Sequence, residues 1–434
     1  MFSPLPRTVF LTSLLLLPLP ACRGKPSAPS VPSATVPDAA PGASKPAATT
    51  ADAGRAARPK AVRGCKLPEI RGGFEDLCSH TTWFVGIRTD LTLVKGCSLT
   101  VRNHVWVVEG ATLTLEPGVK LSFDPETSLQ VSNGRLVARG TARAPIILTS
   151  SKKRPRAGSW GGVGFGGDTL AGTVLEHVVI EHAGQISADG CPCADGAVDL
   201  FDTKGRISIL NSTIRNTDRS FPAVDATLGS FARFEGNTLR HNARSLKVTA
   251  ETFTSISPNN RLGAPVEVSS RIESSVTWPA VDVPILLKER TMIFSRKKPA
   301  VLTLPEGARV RFAKGASLEV GDLKGGGLRA RKVSFASNAR RPGAGDWVGI
   351  VLRENTKDTV IEDCTISHAG RRQRDGRGAV TYHGAKLGPG IRITGTTFRH
   401  NKGAAISGVD GDCGDAAKPE SRNRSHGAPL CGPR

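Results

Sequence analysis

The sequence predicts an all-β solenoid with an internal duplication, in which coils of short strands stack along one axis. Three observations predict it. Residues 113–184 recur as residues 302–370. Both copies consist of short apolar alternations cut by Gly and Pro. No window of helical length keeps an apolar stripe.

The elements follow in order. In TLTLEPGVKLSF (112–123), Leu113, Leu115, Val119, Leu121 and Phe123 form an alternation broken once at Pro117 and Gly118, which reads as two strands around a turn. Residues 128–131, 135–138, 146–148 and 175–180 read the same way. The second copy repeats the series as TLPEGARVRF, SLEVGDLKGGGLRAR, KVSFASNARRPGAGDWVGI and VIEDCTISHAG. Gly118 aligns with Gly307, Phe123 with Phe312, Trp160 with Trp347 and His182 with His368, and the largest gap falls where GTARA (140–144) has no counterpart. Such strands would also suit a sandwich or barrel, but those need tight hairpins between antiparallel neighbours. A repeat that keeps its alternation and tolerates gaps at Gly-rich turns favours the stack.

These motifs carry a resemblance. EPGV at 116–119, the run from Gly134 to Ile146, GSWGGV at 158–163 and VVIEHAG at 178–184 resemble the coils of right-handed parallel β-helix proteins of bacterial envelopes, within the pectate-lyase-like superfamily. In the second copy EPGV has become PEGA and the GT turn is missing. RISILNSTIRN (206–216), ARFEGNTLRHN (232–242) and IRITGTTFRHN (391–401) look like further coils. The resemblance spans about residues 91–407. It implies the right-handed, single-stranded parallel β-helix and leaves activity open, because this architecture carries lyases, hydrolases, adhesins and inert scaffolds.

Residues 1–21 hold one basic residue, Arg7, then an apolar core and small residues, which reads as a secretory signal too short to span a membrane. Leu19-Pro20-Ala21-Cys22 resembles a bacterial lipobox, which implies acylation of Cys22 and anchoring of the mature chain to the envelope. Arg23 stands where some lipoproteins carry an inner-membrane retention Asp, so the outer membrane is the expected address. Residues 22–63 are rich in Pro, Ala, Ser and Thr and read as a disordered tether, followed by an N-terminal cap at 64–90.

Apart from Cys22, eight cysteines remain, an even number in an exported chain. Spacing does not fix their pairing. The expectation pairs Cys65 with Cys78 and Cys413 with Cys431, one staple at each end of the solenoid, with Cys364 a small buried hydrophobe. The loop DGCPCADGAVDLFD (189–202) offers Asp189, Asp195, Asp199 and Asp202 as oxygen ligands suited to Ca2+. Its Cys-x-Cys spacing does not match a zinc knuckle and it contains no His, so the plain reading is a solvated insertion and no cofactor is expected.

His182 and His368 fall at matched places, as do Trp160 and Trp347. A catalytic group is needed once, whereas a packing group recurs with its coil. All four therefore read as structural, and the Asn after His241 and after His400 reads as a turn cap or a member of a stacked ladder. Residues 252–298 are less regular and read as the entry to the second copy, with a joint at 257–263 as the alternative; residues 408–434 read as a loosely ordered tail.

The chain carries +21 net charge and a single Tyr. Export and the scarcity of aromatic platforms argue against nucleic acid. Lys152, Lys153, Arg154 and Arg156 in one copy, and Arg340, Arg341, Arg371, Arg372 and Arg374 in the other, would form a positive strip for an anionic polysaccharide if their loops line up along one side. The expected function is a non-enzymatic surface scaffold or binding module. An acidic-polysaccharide lyase or glycoside hydrolase is the alternative, and self-association through an uncapped end is a third. A lyase or hydrolase would need a unique acid–base set, for which no motif stands out beyond Asp195, Asp199 and Asp202.

Overall fold

The computed structural model describes residues 62–68, 73–75, 81–184, 196–269, 271–371, 378–383, 388, 390–408 and 412–433. The unit formed by Arg58–Gly73 and Trp83–Arg434 is a right-handed parallel β-helix. From Leu91 on, the coils of its first half contribute three strands each, one to each of three sheets, as in Thr112–Leu115, Lys120–Phe123 and Ser128–Val131. Each strand pairs in parallel with its counterpart one coil on, so Leu113 faces Leu91 on one side and Leu136 on the other. The strand alternation seen in the sequence now has a cause. Leu113, Leu115, Leu121, Phe123, Leu129 and Val131 all point into the coil and are at most 2% exposed.

One sheet, here the spine, passes through both copies, from the pairing of Thr81–Ile87 with His104–Val107 to Arg424–His426. The two sheets beside it in the first half end at Phe231–Glu235 and Thr238–Arg240. Two others, opening at Arg271–Ile272 and Val276–Thr277, take their places in the second half. The interruption coincides with the helix Ala250–Phe253, whose N-cap Thr249 accepts from Thr252 N at 3.0 Å. On the coil that carries it only single bridges, Phe234 with Ile256 and Thr238 with Arg261, replace the flanking strands. The spine continues unbroken there through Leu246–Val248 and Val266–Val268.

The duplication is not in phase with the coils. Lys120–Phe123 lies in a flanking sheet and Ser128–Val131 in the spine, whereas their counterparts Arg309–Phe312 and Ser317–Leu323 lie in the spine and in a flanking sheet. The strand positions between the copies do not make a whole number of coils. The second copy is therefore turned by one face relative to the first.

Matched residues nonetheless meet matched surroundings. Trp160 stacks on Phe123 at 4.3 Å between ring centroids, and Trp347 on Phe312 at 3.8 Å, with rings within 9° of parallel in both pairs. Each indole Nε1 donates at 2.8 Å to a backbone carbonyl, of Glu181 and Ser367 respectively. Inside the turns, side chains form hydrogen-bonded ladders. Asn237 accepts from Ser212 N, donates to Ile209 O at 2.8 Å and presents its own N–H to Asn260 Oδ1 at 2.9 Å. Thr396 and Asn423 continue the equivalent ladder in the second copy, where Cys364 takes the place of Ser212 and donates to Ala330 O. Burial pushes the Cys364 thiol up to about 11. Asn242 and Asn401, the residues after His241 and His400, cap the next turns by accepting from Thr217 N and Ala369 N.

The ends differ from expectation. Cys65 bonds to Cys97, not to Cys78, because Val62–Gly64 lies alongside Leu91–Leu93 and brings the two Cα atoms to 5.4 Å; Cys78 lies outside the described residues. Among the described residues, stacking thus begins at Val62, within the span read as tether. Cys413 and Cys431 are bonded, with Cα atoms 6.1 Å apart. Residues 412–433 are not a loose tail. They add Arg424–His426 to the spine and Cys431–Pro433 to the sheet ending in Ala404–Gly408.

Candidate functional site

Parallel stacking puts equivalent outward side chains of successive coils in rows. Along the spine, one row runs Gln130, Gly164, Asp199, Asp225, Lys247, Glu267, each facing the next in register. The flanking Val198, Leu200, Val224 and Ala226 point inward and are at most 1% exposed. Asp225 is outward yet buried. Its Oδ1 accepts from Thr227 N at 2.9 Å and from the Thr227 hydroxyl, and its Oδ2 meets Lys247 Nζ at 3.1 Å. One coil on, Glu267 pairs with Lys288 at 2.8 Å, and Arg244 Nε stands 3.6 Å away. Lys247 compensates Asp225 and Lys288 compensates Glu267, each from the coil beside it, whereas Asp199 faces the acid Asp225 on one side and Gly164 on the other.

Two residues beyond Asp199 and, across a β-bulge, three beyond Asp225, the same strands end on the most exposed large apolar side chains of the described solenoid. Phe201 is 57% exposed and Leu228 is 66% exposed, and they face each other in register. Gln130 lies across Gly164, where any side chain would collide with it. A recess of about 120 Å³ beside Lys247, Glu267 and Lys288 has room for a few waters. A larger one of about 800 Å³ lies where Ile391–Thr394 meets Asp415, Lys418 and Glu420, and Lys418 there is paired to Asp415 at 2.7 Å.

The second copy breaks the pattern. GAVDLF (196–201) corresponds to GAVTYH (378–383), so Thr381 stands for Asp199 and His383 for Phe201. The matching row reads Glu319, Val351, Thr381, Ser407, with Thr381 and Ser407 hydroxyls 3.3 Å apart. Glu319, with its side chain only 4% exposed, is clamped by Arg290 at 2.7 Å and Arg353 at 2.7 Å. Burial raises its carboxyl, but the hydrogen bonds from the two guanidinium groups outweigh that and hold it below the ordinary value.

Of the acids singled out in the sequence, Asp199 joins the row. Asp202 sits at the strand end with a positive φ of 51°, 3.5 Å from Lys204, and Asp189 and Asp195 lie outside the described residues. Among the described residues no group of three or more His, Cys, Asp or Glu side chains could hold a metal ion. Sequence reasoning missed Asp225, Lys247, Glu267, Phe201 and Leu228. One signal was available, since Ala-Val-Asp occurs at 197–199 and again at 223–225.

The basic loops do not make one strip. Lys152, Lys153, Arg154 and Arg156 are exposed on the loop that leads into the spine strand Gly162–Phe165. Arg340, Arg341 and Arg371 are exposed on loops that lead away from spine strands Ser334–Ser337 and Thr365–Ser367. Turning the second copy by one face has put its loops on the opposite edge of the spine; Arg372 and Arg374 lie outside the described residues.

His182 and His368 are turn residues with positive φ, 63° and 61°, whose carbonyls accept from Ser159 N and Asp346 N. Burial lowers the imidazole pKa of both. Glu181 opposes this at His182, and at His368 the facing His400, 5.5 Å away, adds to it.

Coils, ladders and an outward row of polar side chains define a parallel β-helix protein. Residues 86–189 match the family model described as the pectate-lyase like beta helix domain. No curated protein and no solved structure matches the chain. A β-helix domain of this type fits a polysaccharide-binding or polysaccharide-processing module.

Proposed function

We propose that the chain is a non-enzymatic polysaccharide-binding module of the cell envelope, holding a glycan along the outer face of the spine. The observation that carries this reading is charge compensation along the outward row. Asp225 is tied to Thr227 and Lys247, and Glu267 to Lys288. Carboxylates held in that way make steady hydrogen-bond acceptors for the hydroxyls of a glycan. Cys22, as the acylated first residue of the mature chain, would anchor the module at the outer membrane. Affinity electrophoresis through gels cast with individual polysaccharides tests binding, with retardation expected and no increase in reducing ends on prolonged incubation. Absence of palmitate labelling, with C22S as the comparison, would remove the anchor.

One observation favours processing. Asp199 and Asp225 face each other on adjacent coils in the first copy, where the second copy has Thr381 and Ser407. An acid pair that occurs once is what a reaction centre requires. Release of reducing or unsaturated ends by the native chain, abolished in both D199N and D225N, would establish that reading over the first.

A further inference from the structure

Phe201 and Leu228 together form an exposed apolar step on the row's own strands, and the carboxylates around it set what can lie there. Asp199 precedes Phe201 by two residues on the same face, and Asp202 follows it. One coil below, Phe165 pairs with Leu200 and is followed by Gly166 and Gly167. Neither glycine has a side chain to fill the step. Asp202 packs at 3.0 Å from where a Gly167 Cβ would be, and Asp168, accepting from Ser132 Oγ at 3.0 Å, borders Gly166. Three Asp residues, 168, 199 and 202, therefore surround the step with Lys204 beside them, in a chain whose net charge is +21.

That combination has a definite complement. A pyranose ring offers an apolar C–H face and a rim of hydroxyl donors, which match a phenyl ring flanked by carboxylate acceptors. A uronic acid would bring its own carboxylate against three others. We infer that Phe201 and Leu228 form a sugar-stacking subsite for a neutral polysaccharide, with Asp199 and Asp202 accepting from its hydroxyls. The inference rests on the polysaccharide-binding reading and narrows its ligand to a neutral glycan, in place of the anionic one expected from the basic loops. The second copy lacks the subsite, because Phe201 corresponds to His383 there.

The test runs the full chain on native gels containing hydroxyethyl cellulose, amylopectin or polygalacturonate, beside F201A, L228S and F201Y. Retardation by a neutral polymer, about tenfold weaker in F201A and L228S and kept in F201Y, supports the subsite. Both losing variants replace surface side chains, so unchanged melting curves are expected and separate lost binding from lost folding. Neutral binding that ignores both variants overturns the inference, as does a dimer in sedimentation that F201A dissolves, since the step would then be a contact between copies. Retardation by polygalacturonate alone overturns the inference while leaving polysaccharide binding in place. Retardation by no polymer sinks the broader reading itself.

Discussion

Glu319 shows how a single side chain can bind three coils together. It sits between Arg290 on the coil before and Arg353 on the coil after, and accepts from Ser317 Oγ at 3.2 Å as well. Removing the carboxylate leaves two guanidinium groups facing each other, and E319A should lose about 3–5 kcal/mol in denaturant unfolding. Its carboxyl pKa is lower folded than unfolded, so the stability it contributes is complete above the ordinary carboxyl value of 4.5 and is lost as pH falls through the folded value. E319Q should flatten that acid limb. The histidines act in a different window. His368 protonates less readily when folded, so the unfolded chain binds the extra proton first and stability falls as pH drops below about 6.5. H368N should remove that part of the slope and leave stability at pH 8 little changed, which melting curves across pH will show. Gly370 has a simpler constraint. Its φ of 91° and the nearby Lys402 carbonyl exclude a Cβ, so G370A should be strongly destabilising by the same assay.

At the scale of elements, stacking does what hairpins do in other β proteins, and the turns carry much of the specificity. Asn237 is fully buried and joins its own coil to the ones before and after, so N237A removes the side-chain bonds to Ser212 N and Ile209 O and should cost about 2–4 kcal/mol. N237S, which keeps one acceptor, should cost less in the same unfolding titration. Strands and turns were legible in the sequence because their cause is local. An inward residue must be apolar, and Leu113, Leu115, Leu121 and Phe123 say so unaided. The Trp and His pairs were legible too, since a duplicated coil repeats its packing. The partner of Cys65 was not. It depends on Val62–Gly64 lying beside Leu91–Leu93, a contact that no alternation in the Pro-rich stretch before it announces.

The whole molecule adds what no element contains. The phase of the second copy depends on how many strand positions lie between the copies, and a coil whose flanking strands are reduced to one helical turn and two bridges, at Ile256 and Arg261, does not display its count in the sequence. For that reason the two basic loops look equivalent in the chain yet flank opposite edges of the spine. Half of the candidate row was hidden in the same way: Asp199 stood out in an Asp-rich loop, whereas Asp225, Lys247 and Glu267 become neighbours only when successive coils are laid in register. The covalent closures at the two ends make a testable pair. Opening Cys65–Cys97 with C65S/C97S releases a loop with a sequence separation of 32 and should lower stability by about 2–4 kcal/mol.

The hydrogen bonds between coils all run along the solenoid axis, so a tug on one terminus loads them in series. Under such a pull the molecule should give way like a spring losing one turn at a time, with each released coil appearing as a separate step in a single-molecule force trace. The disulfides Cys65–Cys97 and Cys413–Cys431 sit where that peeling would start, and adding reductant should therefore lower the force of the first step while leaving the later ones where they were.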